Sequence, residues 1–141
     1  MNIVALAQNN QEIMLCYPVM VQLRPQYSPE QFVAQVQEQM KQGYHLAYLL
    51  DENIVKSVAG FRIGTSLGWG KYLYVDDLVS EQKYRHSGAG TVLFEWLVDY
   101  AKYNQCHQLH LDSGVQRHQA HRFYIRRGMD ISSHHFAVIL D

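Results

Sequence analysis

A chain of 141 residues, 48% hydrophobic and 18% charged, holds enough apolar material for one core and is expected to form a single domain over residues 1–141. That composition excludes a disordered chain. A net charge of −1 excludes a surface that neutralises many phosphates, so no nucleic-acid partner is expected.

Residues 2–7, "NIVALA", predict a short strand closed by the polar "QNNQE". The N-terminal stretch lacks a basic region, and no run reaches the roughly 18 apolar residues of a membrane span, so neither secretion nor a membrane partner is expected. A first helical region follows, with Ile13, Tyr17, Met20 and Leu23 on one face, and Pro18 predicts a kink or a split into two pieces. "SPEQFVAQVQEQMKQG" predicts a second helix: Ser28 caps it, Pro29 opens it, Gln31 completes a capping box and Gly43 marks the exit. Phe32, Val33, Val36 and Met40 form its core face.

The period then changes to that of strands. "YHLAYLL" (44–50), the turn "DEN" and "IVKSVAGFRI" (54–63) predict a hairpin. "GTSLGWGK" reads as a Gly-rich loop, and "YLYVDDLV" (72–79) as a third strand of an antiparallel meander. Residues 89–103 predict an amphipathic helix with Val92, Leu93, Trp96, Leu97 and Tyr100 inward. "CHQLHLD" is a further strand, residues 117–127 a helix ended by Gly128, and "FAVIL" (136–140) a final strand. The order β, α, α, β, β, β, α, β, α, β is that of an α/β layered fold. An aliphatic last strand at a sheet edge would favour a homodimer.

The stretch "RHSGAGT" (85–91) lies between a strand and a helix. A helix start leaves backbone N–H groups unpaired and carries partial positive charge, so it favours an anion, and glycines let the backbone approach closely. Arg85 adds a permanent charge, and Ser87 and Thr91 add hydroxyl groups. No Lys-Ser/Thr pair follows Gly90, and Leu93 stands where a dinucleotide fold needs a third glycine, so neither familiar phosphate loop fits.

The spacing Arg-x-x-Gly-x-Gly after "DDLV" and before an amphipathic helix resembles the acetyl-coenzyme A signature of the GNAT acetyltransferase superfamily. "RHQAHRFYIRRGM" resembles that superfamily's later helix, with Ala120, Phe123, Tyr124 and Gly128 in matching places. Arg117 stands where the family often has Asn, and Met129 where it usually has Phe. The resemblance covers most of the chain from about residue 44. It implies a mixed, mostly antiparallel sheet flanked by helices, with a central splayed strand pair.

For acetyl-coenzyme A, the resemblance implies that Leu78, Val79 and Ser80 pair with the pantetheine arm. The N–H groups of His86, Ser87, Gly88, Ala89, Gly90 and Thr91 would then meet the pyrophosphate, with the permanent charge of Arg85 added. Transfer to an amine needs a proton acceptor, because an alkylamine of pKa near ~10.4 is protonated at neutral pH. Asp76 and Asp77 are the candidates. Strand neighbours point to opposite faces, so one of the two is expected to face the substrate, with Asp77 favoured. Tyr124 matches the family's general acid for the leaving thiolate. The implied activity is acetyl transfer to a primary amine of a small molecule or peptide by direct attack in a ternary complex. The alternative is a non-catalytic coenzyme A-binding module of the same fold.

Eight histidines do not make a metal site by spacing, since neither the 107/110 nor the 118/121 pair has a third ligand nearby, and no metal is expected. Cys16 and Cys106 are isolated, which suits a reducing, cytoplasmic location. Trp69 is a candidate either to line the acceptor pocket or to pack over the hairpin end.

Overall fold

The computed structural model describes residues 1–141, which fall into two compact units, Met1–His110 and Leu111–Asp141. The elements in chain order are β1 (Asn2–Leu6), α1 (Asn10–Met20), α2 (Pro29–Met40), β2 (Tyr44–Asp51), β3 (Ile54–Ser66), β4 (Gly70–Ser80), a single 3-10 turn (Gln82–Tyr84), α3 (Ala89–Tyr103), β5 (Gln108–Leu111) and α4 (His118–Arg126). The sheet runs β1-β2-β3-β4-β5, antiparallel as far as β4 and parallel between β4 and β5. The fold is the α/β architecture expected, a mixed sheet with helices on both faces.

Local chemistry accounts for the element boundaries. Asn9 caps α1 by accepting from the Glu12 N–H at 2.9 Å. Ser28 and Gln31 form the full capping box at the start of α2, with bonds of 3.2 and 2.9 Å. The β2–β3 hairpin turns on Glu52 and Asn53, both at positive φ, as a two-residue loop between right-twisted strands requires. Pro18 neither splits nor stops α1: the helix is continuous through Met20. The acceptor that Pro18 deprives of its bond is the carbonyl of Met14, on the exposed side of the helix, where solvent has access to it.

One core lies between the sheet and α1–α2, built on Ile13, Cys16, Met20, Phe32, Val36 and Leu46. On the other face, Phe61 of β3 packs edge-on against Trp96 and Tyr100 of α3 at 6.3 and 5.5 Å. The buried Ser57 hydroxyl donates to the Ala89 carbonyl at 3.3 Å, tying the first turn of α3 to β3. The Gly-rich segment shrinks to a hairpin tip, Leu67–Trp69, because β3 and β4 pair out to Ser66 and Gly70.

In the second unit, α4 ends with Gly128 at φ +90°, whose N–H donates to Ile125 at 3.0 Å. The final strand expected at Phe136–Leu140 is absent. That segment carries no secondary structure, and Phe136 and Leu140 are 90% and 91% exposed. Its β-branched and aromatic residues permit a strand, but a strand exists only when a partner satisfies its backbone groups.

Candidate active site

The β3–β4 register sets Phe61 opposite Val75 and Gly60 opposite Asp77, leaving Asp76 without a partner. This is a β-bulge, one extra residue in β4. Val75 shares the α3 face with Phe61, so Asp76 turns to the α1–α2 face. In a regular strand Asp77 would then return to the α3 side. The extra residue instead pairs it with Gly60, and both carboxylates fall on the α1–α2 face. The expectation that only one would face the substrate pocket is thereby corrected.

Both aspartates line a cavity of about 320 Å³ between α1, α2 and the sheet. Its apolar floor is Met20, Phe32 and Val36, and Arg24, Arg62 and Tyr44 complete the charged and polar wall. The two carboxylates are held differently. Asp77 has both oxygens engaged: Oδ1 accepts from Arg24 Nε and Oδ2 from the Tyr44 hydroxyl, each at 2.8 Å. Asp76 accepts from Arg62 Nε on Oδ2 alone, at 2.8 Å, and Oδ1 is unengaged. Burial pushes the Asp76 carboxyl above the ordinary Asp range, with Arg62 opposing and Asp77 adding to the rise. Burial beside Asp77 also drives the Tyr44 hydroxyl well above its usual value, so it stays a donor.

Sequence reasoning missed Arg24, Arg62, Tyr44 and Gly60. Arg24 follows α1 and reaches back to the Asp76 carbonyl as well as to Asp77, at 3.0 and 2.8 Å. Arg62 lies over the Tyr44 ring at 5.5 Å. Counting from the turn at 52–53 sets Tyr44 opposite Phe61; an extra residue in β3 at Lys56 shifts the register and brings Arg62 there instead, so the pairing carried no simple sequence signal.

Beyond the aspartates, β4 continues through Leu78, Val79 and Ser80, all partly exposed, and the chain turns at Gln82–Tyr84 into α3. Gly88 caps α3 at φ +89° with no side-chain bond, a conformation that L residues rarely adopt. His86 is also at positive φ, 68°. The first intrahelical bond is Val92 N–H to Gly88 at 3.0 Å, and the N–H groups of His86, Gly88, Ala89 and Gly90 have no partner in the chain. The Ser87 N–H is different: it donates to the Tyr84 carbonyl at 3.1 Å, so it drops out of the row expected at 86–91. Arg85 is exposed beside this row.

In the second unit, Tyr124 is the buried residue of α4. Burial raises its hydroxyl pKa above the usual value, while the charge of Arg117 pulls the other way. Arg117 is the residue that precedes α4, where it makes no side-chain cap to the backbone.

Trp69 is not part of the cavity. It stacks on His110 with ring centroids 3.5 Å apart and meets Tyr72 edge-on at 5.2 Å, closing the hairpin end. No group of three or more His, Cys, Asp or Glu residues is close enough to hold a metal ion, and no helix is long and apolar enough to cross a membrane.

The model of the Acetyltransferase (GNAT) family matches residues 7–129. An uncharacterised N-acetyltransferase of Bacillus subtilis, YhdJ, is 30% identical over 122 residues, covering 85% of this chain and 86% of the relative. Two solved structures share the fold. The aminoglycoside N-acetyltransferase AAC(6')-Iy in complex with CoA has a TM-score of 0.85 at 10% identity, covering 99% of this chain and 95% of its own. The ribosomal-protein-alanine N-acetyltransferase of Brucella melitensis has a TM-score of 0.85 at 11% identity, covering 100% of both chains.

Proposed function

The chain belongs to the Acetyltransferase (GNAT) family, and on that premise we propose that it moves an acetyl group from acetyl-coenzyme A to a primary amine by direct attack in a ternary complex. The observation that carries this reading is the continuity of β4. Its bulge delivers two carboxylates to an open-mouthed cavity, its next residues are Leu78–Ser80, and the turn beyond ends in a row of unpartnered N–H groups at α3. The family match spans both compact units, which supports reading residues 1–141 as one acetyltransferase domain.

In this reading, Leu78, Val79 and Ser80 receive the pantetheine arm. The N–H groups of His86, Gly88, Ala89 and Gly90 face the pyrophosphate, with Arg85 beside them and the Ser87 and Thr91 hydroxyls at hand. Asp76 takes the proton of the incoming ammonium, because it has a free oxygen and a raised pKa, whereas both oxygens of Asp77 are spent on Arg24 and Tyr44. The neutral nitrogen attacks the thioester carbonyl, the C–S bond breaks as Tyr124 gives its proton to the departing thiolate, and the proton then shed by the acylated nitrogen passes through solvent to restore the Tyr124 hydroxyl. Asp77 then orients the wall of the pocket. The cytoplasm fits two unbridged cysteines, and a homodimer would give the segment Phe136–Leu140 a partner.

The test is a calorimetric titration of acetyl-coenzyme A into the wild type and into Gly90→Glu, followed by an amine screen that reads released coenzyme A thiol. A carboxylate in the first turn suits the helix dipole, so the variant keeps its fold while repelling phosphate. An affinity loss of tenfold or more with an unchanged melting temperature is expected. Equal affinity in both proteins would sink the assignment, and binding without turnover of any amine would favour the non-catalytic alternative.

A further inference from the structure

The cavity beside Asp76 has a charge pattern that narrows the acceptor. Resting on the acyl-transfer reading of that site, we propose that the acceptor is a small zwitterion, a primary amine that also carries a carboxylate. Its nitrogen meets Asp76 and its carboxylate meets the guanidinium groups of Arg62 and Arg24.

Two permanent cations and two carboxylates line one cavity, and each cation is held by Nε and one terminal nitrogen, with the other terminal nitrogen left over. Arg24 uses Nε on Asp77 and one terminal nitrogen, Nη2, on the Asp76 carbonyl, leaving Nη1 unspent. Arg62 uses Nε on Asp76 and Nη1 on the Gln42 carbonyl at 3.4 Å, leaving Nη2 unspent. A guanidinium carries five N–H donors in a rigid fork, so fixing one side holds the other in place for a planar anion. Arg62 is further steadied over the Tyr44 ring. On the acidic side, Asp76 Oδ1 is the oxygen left over. The unspent groups are therefore one carboxylate oxygen and two guanidinium amino groups, Arg24 Nη1 and Arg62 Nη2, the complement of an ammonium and a carboxylate.

The alternatives fit less well. A polyamine would bring a second ammonium against Arg24 or Arg62, whose charge cannot be removed by deprotonation. A phosphorylated amine carries net negative charge into a wall whose charges already balance. A peptide N-terminus has its nearest carbonyl tied up as an amide, leaving both arginine edges without an anion. At about 320 Å³ the cavity lies at the lower end of the ~300–1,000 Å³ span of small-molecule pockets. Met20, Phe32 and Val36 leave an apolar floor for a short side chain.

The experiment compares matched trios that differ only at the carboxylate: leucine, isoamylamine and leucinamide, and the phenylalanine, phenethylamine and phenylalaninamide set, with glucosamine 6-phosphate, spermidine and an alanyl peptide alongside. Each is read by coenzyme A thiol release and, independently of turnover, by calorimetric binding to the protein. The amino acid is expected to exceed its amine and amide by at least tenfold in kcat/KM or in affinity. Arg62→Gln and Arg24→Gln are expected to collapse that ratio, and Arg62→Lys to restore part of it. Reading the ratio cancels any effect of the substitution on Asp76 itself. Preference for the amine, the phosphorylated sugar, spermidine or the peptide overturns the proposal, as does a ratio that survives both arginine substitutions. Failure of the acyl-transfer reading looks different: no thiol release with any amine, while the calorimetric ratio still decides whether the pocket selects zwitterions.

Discussion

The Tyr44 hydroxyl occupies the space that a β-carbon on Gly60 would need, so the Tyr44 side chain can lie across β3 at this point only because Gly60 has none. A methyl group there also comes within 2.7 Å of Asp77 Oδ2. Gly60→Ala is therefore expected to displace both partners of the part-buried Tyr44–Asp77 hydrogen bond and to cost about 1–3 kcal/mol, the usual span for overpacking. Urea denaturation measures the loss, and calorimetry should find weaker acceptor binding in the same variant.

Asp76 and Asp77 should separate cleanly. Asp76→Asn is expected to lower kcat/KM by ~10²–10⁴-fold, as loss of a general base does, with the fold intact. Asp77→Asn should act first on stability, because it unpairs Arg24 and disturbs the Tyr44 hydroxyl. Equal kinetic losses with equal melting temperatures would remove the distinction.

The pH dependence follows from the sign of the Asp76 shift. Its folded pKa lies above the unfolded value, so the folded state takes up the proton first, and stability rises as pH falls through the folded pKa towards the unfolded one. Activity runs the other way, since only the carboxylate accepts a proton. The acid limb of kcat/KM should therefore sit above the ordinary Asp range, and Asp76→Asn should flatten both the limb and the stability rise.

Tyr124→Phe tests the acid. A thiolate of pKa near ~8.5 leaves fairly well unaided, so the fall in kcat should lie at the low end of the ~10²–10⁴-fold span of acid–base catalysis. Acceptor KM should hardly move. The raised hydroxyl pKa predicts that wild-type kcat shows no alkaline limb from this residue below its ordinary value near ~10.

At the far end of the sheet, Asp51 accepts from Lys56 at 2.7 Å and from the N-terminal ammonium at 3.1 Å. These bonds lower the Asp51 pKa and raise that of Lys56. The Asp51 contribution is present above its unfolded pKa and lost as pH falls through the depressed folded value; the Lys56 contribution is lost as pH rises through its raised one. Asp51→Asn should remove both flanks from a plot of urea midpoint against pH.

Much of the architecture was legible in the sequence because it rests on local chemistry. The Ser28–Gln31 box and the 89–103 helix follow from side chains a few residues apart. The site was only half legible. "DDLV" announced two carboxylates, but their shared face depends on a bulge, and a bulge is a property of two strands in register. Arg24 lies 53 residues from Asp77, a pairing that no local pattern encodes. The final strand was misread for a related reason: "FAVIL" has strand composition, and composition does not supply a partner.

The unpaired residue at Asp76 makes the site sensitive to counting. Lineages descended from this chain can lengthen or shorten the tip at Leu67–Trp69 with little effect on what faces the pocket, since both strands have already paired by Ser66 and Gly70. A single deletion between Val75 and Asp77 would restore regular pairing and leave one carboxylate where there are two. Among related sequences, length variation should therefore accumulate at the hairpin tip and be purged from the three residues around the bulge.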